Sequence, residues 1–337
     1  MSTLSPISIA SIPGFRFGNY TDLDAGTGCT AIVAPEGATG GVDIRGAAPA
    51  TRETDLLRPE NTVDQVHAVI LSGGSAYGLE AASGAMRELE ERGIGLDVGV
   101  GKVPIVCAAS LFDLAFGRTD VQPSIEAGII AVRDALEGPC AEHLPEGNIG
   151  AGTGATVGKL AGPAQCMKGG LGARAFQLGP LMVGAIAAVN AVGNVIDPAT
   201  HAPVAGMRTA PEGTEIADME EAMLAMAGEF AMPLDRTNTT ISCIVTNASL
   251  TKAQATKVAQ MAADAYAHTI RPTHTTNDGD AIFTLASGTL DSAMSAQLPL
   301  DLIGLMATRA LEAAIVAGCT EASALHGIPA HRDPVCR

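Results

Sequence analysis

Residue types able to do chemistry are sparse in this sequence of 337 residues, and they gather in three short stretches. The first is the glycine-rich run from Gly147 to Leu160 (GNIGAGTGATVGKL). As a phosphate-binding P-loop it fails twice, because the spacing demands glycine at Thr153 and a hydroxyl residue at Leu160. Gly150-x-Gly152-x-x-Ala155 does match a loose dinucleotide pattern. Pro145 and Glu146 stand where a strand should end, however, and no acidic residue on a following strand completes that motif. Two readings remain besides a cofactor loop: a tight backbone that lets another segment approach closely, and a scaffold that presents Lys159. No cofactor is expected.

The second stretch is Asn277-Asp278-Gly279-Asp280. Read as a calcium loop with Gly279 at the sixth position, it has His274 and Thr276 where acidic ligands belong and no Glu at the twelfth. A plain Asp-Gly turn accounts for it. The seven histidines show no H-E-x-x-H or paired ligand spacing, so no metal site is expected. There is no G-x-S-x-G elbow either. What remains is a hydroxyl nucleophile with no obvious histidine partner. A threonine can serve when its own free α-amine is the base, with a pKa of about 7.7–8.0 suited to working pH. That requires a peptide cut in front of it. Asn238-Thr239, the third stretch, sets a threonine directly before an apolar run, where a rigid element could hold it.

Elements that could position these residues can be read from periodicity. Val66–Ser72 and Leu181–Val189 are short apolar runs that predict buried strands, and Thr239–Thr246 (TTISCIVT) predicts a β-branched strand. Asp280–Ala286 predicts another strand after the Asn-Asp-Gly turn. Helices are expected over Ser75–Gly93, Ser124–Glu137, Glu215–Phe230 (with Met and Ala inward) and Leu302–Val316. Thr251 with Gln254 forms a capping box for a helix running to about His268. Strands interleaved with helices imply a layered α/β protein, and the absence of repeats or linkers implies a single domain over 1–337.

Composition excludes several classes of function. With 20 Lys+Arg against 36 Asp+Glu the net charge is −16, which repels phosphate backbones and anionic lipids. Aromatic residues are 3% and Trp is absent, so bases would find few stacking partners. Neither nucleic acid nor membrane is expected as a partner. Mean hydropathy is +0.26, yet the longest apolar stretch, Leu181 to Ile196, is broken by Asn190 and Asn194 and is shorter than a bilayer span. The N-terminal residues lack a basic region before an apolar one, so no signal peptide is expected. Seven scattered cysteines without C-x-x-C read as reduced thiols of a cytoplasmic protein.

The segment NTTISCIVTN (238–247) resembles the self-cleavage site of the nylon-oligomer hydrolase branch of the DmpA-type L-aminopeptidase/D-amidase-esterases and β-peptidyl aminopeptidases. Further similar segments follow in the family's order: GGSAYGLEAASG (73–84), VPIVCAASLFDL (103–114), GAGTGATVGK (150–159), AAVNAVGNVID (187–197) and HTTNDGD (274–280). The resemblance implies a DmpA-type αββα sandwich, similar to N-terminal-nucleophile hydrolases, cut by itself into residues 1–238 and 239–337. The two chains would stay associated, with a tetramer of such αβ units expected. By position it implies Thr239 as nucleophile, freed by cleavage after Asn238, and Asn190 as oxyanion donor. It also implies Tyr77 as the tyrosine lining the site, Lys159 as the lysine near the scissile bond, and Asp278 and Asp280 as the acidic pair. Many family aminopeptidases have Ser as nucleophile and a Ser/Glu pair at the positions of Thr239 and Asp278/Asp280. The implied substrates are small peptides, β-peptides or amide oligomers. The alternatives are a hydrolase of non-peptide amides or esters, and a silent assembly protein with the same fold.

Overall fold

Apolar and β-branched runs must satisfy their backbone N–H and C=O groups in ladders. Here they do so in one ten-stranded sheet that doubles over into two layers. The computed structural model describes residues 4–138, 144–228 and 238–333. The chain opens with β1 (Ser5–Ile7), β2 (Arg16–Asp22), the 18-residue β3 (Thr27–Ile44), β4 (Ala50–Arg52) and β5 (Val66–Ser72). Then come α1 (Ala81–Glu91), β6 (Val106–Ser110), α2 (Ile125–Glu137), β7 (Leu171–Leu178), β8 (Leu181–Asn190) and α3 (Met219–Gly228). The last part holds β9 (Thr239–Thr246), α4 (Lys252–Ala262), α5 (Asp264–Thr269), β10 (Ala281–Ala286) and α6 (Leu300–Thr320).

Strand order is β1-β7-β8-β9-β10-β3-β5-β6-β4, with β2 on the free side of β3. The long strand β3 is shared: Thr39–Ile44 pair with β10, and Cys29–Ala38 pair with β5. The ladder breaks between Val33 and Ala38, where Pro35 and Gly37 lie, and there the sheet turns from one layer to the other. The two layers face each other across Ile32, Val69 and Leu71 on one side and Ile186, Ile241 and Phe283 on the other. Helices α1 and α2 cover one outer face, while α4, α5 and α6 cover the second. This is the αββα sandwich. Although α6 has the length and composition of a membrane span, 67% of its most apolar window is buried, and it packs on β7 and β8.

Most expected elements form, with informative differences. The expected helix from Ser75 begins as a tight 3-10 turn, Ser75–Glu80, because the chain leaves β5 with positive φ at Gly74 and Ser75. The capping box at Thr251 is present, but the helix after it breaks at Ala263 into α4 and α5. Of the acidic helix expected from Glu215, only the part from Met219 is helical; Glu215 and Ala217 instead bond to Thr209 and Met207. Its end at Phe230 lies outside the described residues. Met219 is buried, whereas Leu224 is 67% exposed, so its apolar side is only partly inward. Cys29, Cys107, Cys166, Cys243 and Cys319 are free and buried; Cys140 and Cys336 lie outside the described residues.

The break that starts α5 points Tyr266 at the beginning of β9. Its ring is fully buried, and its hydroxyl lies 3.0 Å from both Ser242 Oγ and the Thr240 carbonyl. Tyr266→Phe strands these partners in a dry core, so a loss of about 1–3 kcal/mol is expected by urea denaturation. Unchanged stability would mean that this anchor is dispensable.

Candidate active site

Antiparallel pairing of β8 with β9 sets Asn190 directly opposite Thr239. Side chains of directly opposed residues share a face. Ile241, Cys243 and Val245 of β9, and Ile186 and Ala188 of β8, all point into the core between the layers. Alternation therefore turns Thr239 and Asn190 to that same inner face, at one end of it. Both are buried, Asn190 completely.

The Asn190 amide is held by a hydrogen-bond pattern that fixes which way it faces. Its Oδ1 accepts from Lys159 Nζ at 2.7 Å and from the Thr156 amide at 3.0 Å, while its Nδ2 donates to the Phe112 carbonyl at 2.8 Å. A flipped amide would meet two donors with its own N–H groups. Lys159 Nζ also reaches the Asn190 carbonyl at 3.0 Å. The glycine-rich stretch thus works as both close-packed backbone and scaffold. Its turn is pinned by the fully buried Lys168, whose Nζ donates to Thr153 and Ala155 carbonyls at 2.8 and 2.6 Å, and it delivers Thr156 N–H and Lys159 to Asn190. Burial lowers the Lys168 pKa to about 7, against the raising influence of Asp113.

On the other side of β9, the turn Asn277–Asp280 carries the acidic pair. Asp280 is fully engaged: Oδ1 accepts from the Thr240 amide at 2.8 Å, and Oδ2 from His274 Nδ1 at 2.8 Å and the His274 amide at 3.3 Å. The His274 ring stacks on Tyr266 at 5.4 Å. Asp278 lies opposite Asn238 in a parallel bridge, and its Oδ2 accepts from the Thr275 amide at 2.7 Å. Between the acids, the Gly279 amide donates to the Asn238 carbonyl at 3.2 Å. Thr239 Oγ1 donates to that same carbonyl. A Cβ on Gly279 would sit 2.8 Å from Thr239 Oγ1, so only glycine leaves the hydroxyl its place. Among the described residues, no group of three or more His, Cys, Asp or Glu converges as a metal would need.

The arrangement is a hydroxyl against a carbonyl carrying a second N–H donor, with a lysine, an amide and a carboxylate around it. Such a set suits acyl transfer. A family model for peptidase family S58 matches residues 8–332. An uncharacterized aminopeptidase of Mycobacterium tuberculosis is 40% identical, covering 97% of each chain. The chain belongs to peptidase family S58. The 6-aminohexanoate-oligomer endohydrolase of Paenarthrobacter ureafaciens is 30% identical, over 83% of this chain and 74% of its own. The L-aminopeptidase D-Ala-esterase/amidase of Ochrobactrum anthropi, described as a variant of the Ntn-hydrolase fold, superposes with a TM-score of 0.69 at 18% identity. That likeness covers 98% of this chain and 90% of the other. As an S58 peptidase the chain is a hydrolase acting on amide bonds.

Of the expected site residues in this S58 chain, Thr239, Asn190 and Lys159 come together, and Asp278 and Asp280 flank the start of β9. Tyr77 lies on the turn after β5. It is 69% exposed there; that turn bonds to Leu111, but no hydrogen bond or ring contact ties Tyr77 to Thr239 or Asn190. The Asn190 side chain meets the backbone carbonyl of Phe112. His274, Gly279 and Phe112 also belong to the site's hydrogen-bond frame, and all three lie inside the segments HTTNDGD and VPIVCAASLFDL. What would have marked His274 is its distance of six residues from Asp280 across a turn.

Burial raises the Asp278 pKa to about 6, helped by the charge of Asp280 and opposed by the Thr275 bonds and the charge of Lys159. An unfolded aspartate titrates near about 3.9. Between those values the folded chain holds more protons, so this group's contribution to stability falls as pH rises through the window and stays low above it. Asp278→Asn should therefore gain thermal stability relative to wild type on going from pH 4 to pH 7. A melting-temperature difference independent of pH would exclude this.

Proposed function

We propose that this chain is a self-processing amidohydrolase of the aminopeptidase type, in which cleavage of Asn238-Thr239 frees Thr239 as an N-terminal nucleophile. The observation that carries the reading is the Asn238 carbonyl, which accepts from both Thr239 Oγ1 and the Gly279 amide in a buried site. In self-cleavage, Thr239 Oγ attacks the Asn238 carbonyl carbon, its proton leaves to a base, and negative charge grows on the Asn238 oxygen. The Gly279 N–H supplies a fixed donor for that charge. We assign the base to Asp278. Both oxygens of Asp280 already hold donors, whereas Asp278 faces Asn238 and has a carboxylate made more basic by burial. Breakage of the C–N bond with proton delivery to the Thr239 nitrogen leaves an ester, which water hydrolyses to two chains.

In substrate turnover the freed α-amine of Thr239 takes over as base, and Oγ attacks the substrate carbonyl. The C–N bond breaks as the Thr239 amine returns the proton to the leaving amine, and water then hydrolyses the acyl-enzyme. We assign the Asn190 side-chain amide, set opposite Thr239 and oriented by its bond to the Phe112 carbonyl, as the donor to the substrate oxyanion. Lys159 holds the Asn190 side chain in that orientation and keeps positive charge beside it. Asp280 ties the Thr240 amide, and so holds the backbone next to Thr239. The two chains stay together in this reading because β9 and β10 are central strands, gripped between β8 and β3 of the larger fragment. Small peptides or uncharged amides are the proposed substrates.

Thr239→Ala is expected to stay uncut and inactive, while Thr239→Ser, which keeps the hydroxyl, is expected to cleave. A cut or active alanine variant would overturn the nucleophile assignment. The self-cleavage rate of freshly refolded wild type, followed on denaturing gels, should fall as pH drops through about 6, where Asp278 takes up its proton. A rate flat from pH 5 to 8 would remove Asp278 as base.

A further inference from the structure

A cleft of about 240 Å³ opens beside Lys159, Thr156 and Phe112, three residues that hold the Asn190 side chain. Its other walls are chiefly Ala115, Phe116, Pro163 and Ile328. These walls are rigid for identifiable reasons. The Phe116 ring is clamped between the Lys168 ammonium, 4.4 Å from its centroid, and the edge-on ring of His326 at 5.2 Å. His326 and Gly327 both have positive φ and form the tight turn that bridges Leu325 to Ile328, and His326 Nε2 lies 2.9 Å from the Leu23 carbonyl. One wall therefore comes from residues before Asn238 and the facing one from residues after it.

Three polar side chains at this cleft, those of Asp113, Lys159 and Cys166, are committed elsewhere. Asp113 also borders it, but Oδ2 already accepts from Thr27 Oγ1 at 2.7 Å and Oδ1 from the Gly74 amide at 2.6 Å. Lys159 directs its ammonium to Asn190. Cys166 turns its thiol to the Pro163 carbonyl at 3.2 Å. A volume of 240 Å³ corresponds to about eight water-sized groups, which is room for one side chain or a short aliphatic segment and too small for a drug-sized ligand. A substrate cation would be desolvated there against Lys159, while an apolar group would exchange water for aromatic and aliphatic contacts.

Resting on the function proposed above, we infer that this cleft is the specificity pocket of the enzyme and receives an uncharged apolar group next to the scissile amide. The substrate class is then amides bearing a branched, aromatic or short linear hydrocarbon group, with Lys-type side chains disfavoured. Ala115 sits exposed at the mouth, so a larger residue there narrows the pocket without entering the core.

The test uses processed wild-type enzyme and two substrate series. One is aminoacyl p-nitroanilides of glycine, leucine, phenylalanine and lysine; the other is glycyl dipeptide amides varied at the amine side in the same way. In at least one series, kcat/KM for the leucyl or phenylalanyl member should exceed that for glycyl and lysyl by about tenfold or more. Ala115→Phe should cut that leucyl-to-glycyl ratio by about tenfold, and Ile328→Ala should shift preference from leucine toward phenylalanine. Self-cleavage of each variant, checked in the same preparation, reports folding. Turnover with ratios untouched by both variants, or a preference for lysine, overturns the pocket and leaves the amidohydrolase intact. A processed wild type that turns over no member of either series overturns both.

Discussion

The register that sets Asn190 of β8 opposite Thr239 of β9 is the constraint on which the other site contacts depend. A slip of one residue would turn every side chain of β9 to the opposite face, sending Ile241, Cys243 and Val245 out of the central core. Hydrophobic burial in the middle of the strand thus enforces the position of a polar residue at its end. Because Thr239 is the first residue of that strand, the chain before it can be severed without breaking the ladder. Asn238 stands outside the strand, in an isolated bridge to Asp278.

Burial that holds this register also sets the chemistry. Charges brought into so dry an end must be held by fixed partners or shift their protonation. Asp280 is held by the Thr240 amide and His274, while Lys168 donates to two carbonyls and lies over Phe116. Asp278 has fewer partners, and its proton affinity rises. Two acids two residues apart thus differ in how many donors hold them, which is the basis of the separate roles proposed for them.

Much of this was legible in the sequence. Val66–Ser72 and Thr239–Thr246 form strands with the expected bounds, since continuous apolar or β-branched runs have few alternatives. The αββα layers, by contrast, follow only from the resemblance. The strand that joins the layers, β3, gave no periodic signal because Pro35, Gly37, Gly40 and Gly41 interrupt its pattern where it bends and pairs closely. Thr239, Asn190 and Lys159 could be named by motif, but what holds them could not. The Phe112 carbonyl, the Gly279 amide and the His274 ring contribute through tertiary placement, and backbone groups leave no trace in residue identity. Tyr77, also in a matching segment, is largely exposed.

Intact-mass analysis under denaturing conditions, with N-terminal sequencing of any smaller fragment, tests the central claim most directly. Cleavage between Asn238 and Thr239 should convert the 34.0 kDa chain into species of about 24 and about 10 kDa, in proportion to 238 of its 337 residues and the remainder. The smaller should begin Thr-Thr-Ile-Ser. A single 34.0 kDa species that persists through long incubation at neutral pH would contradict the account.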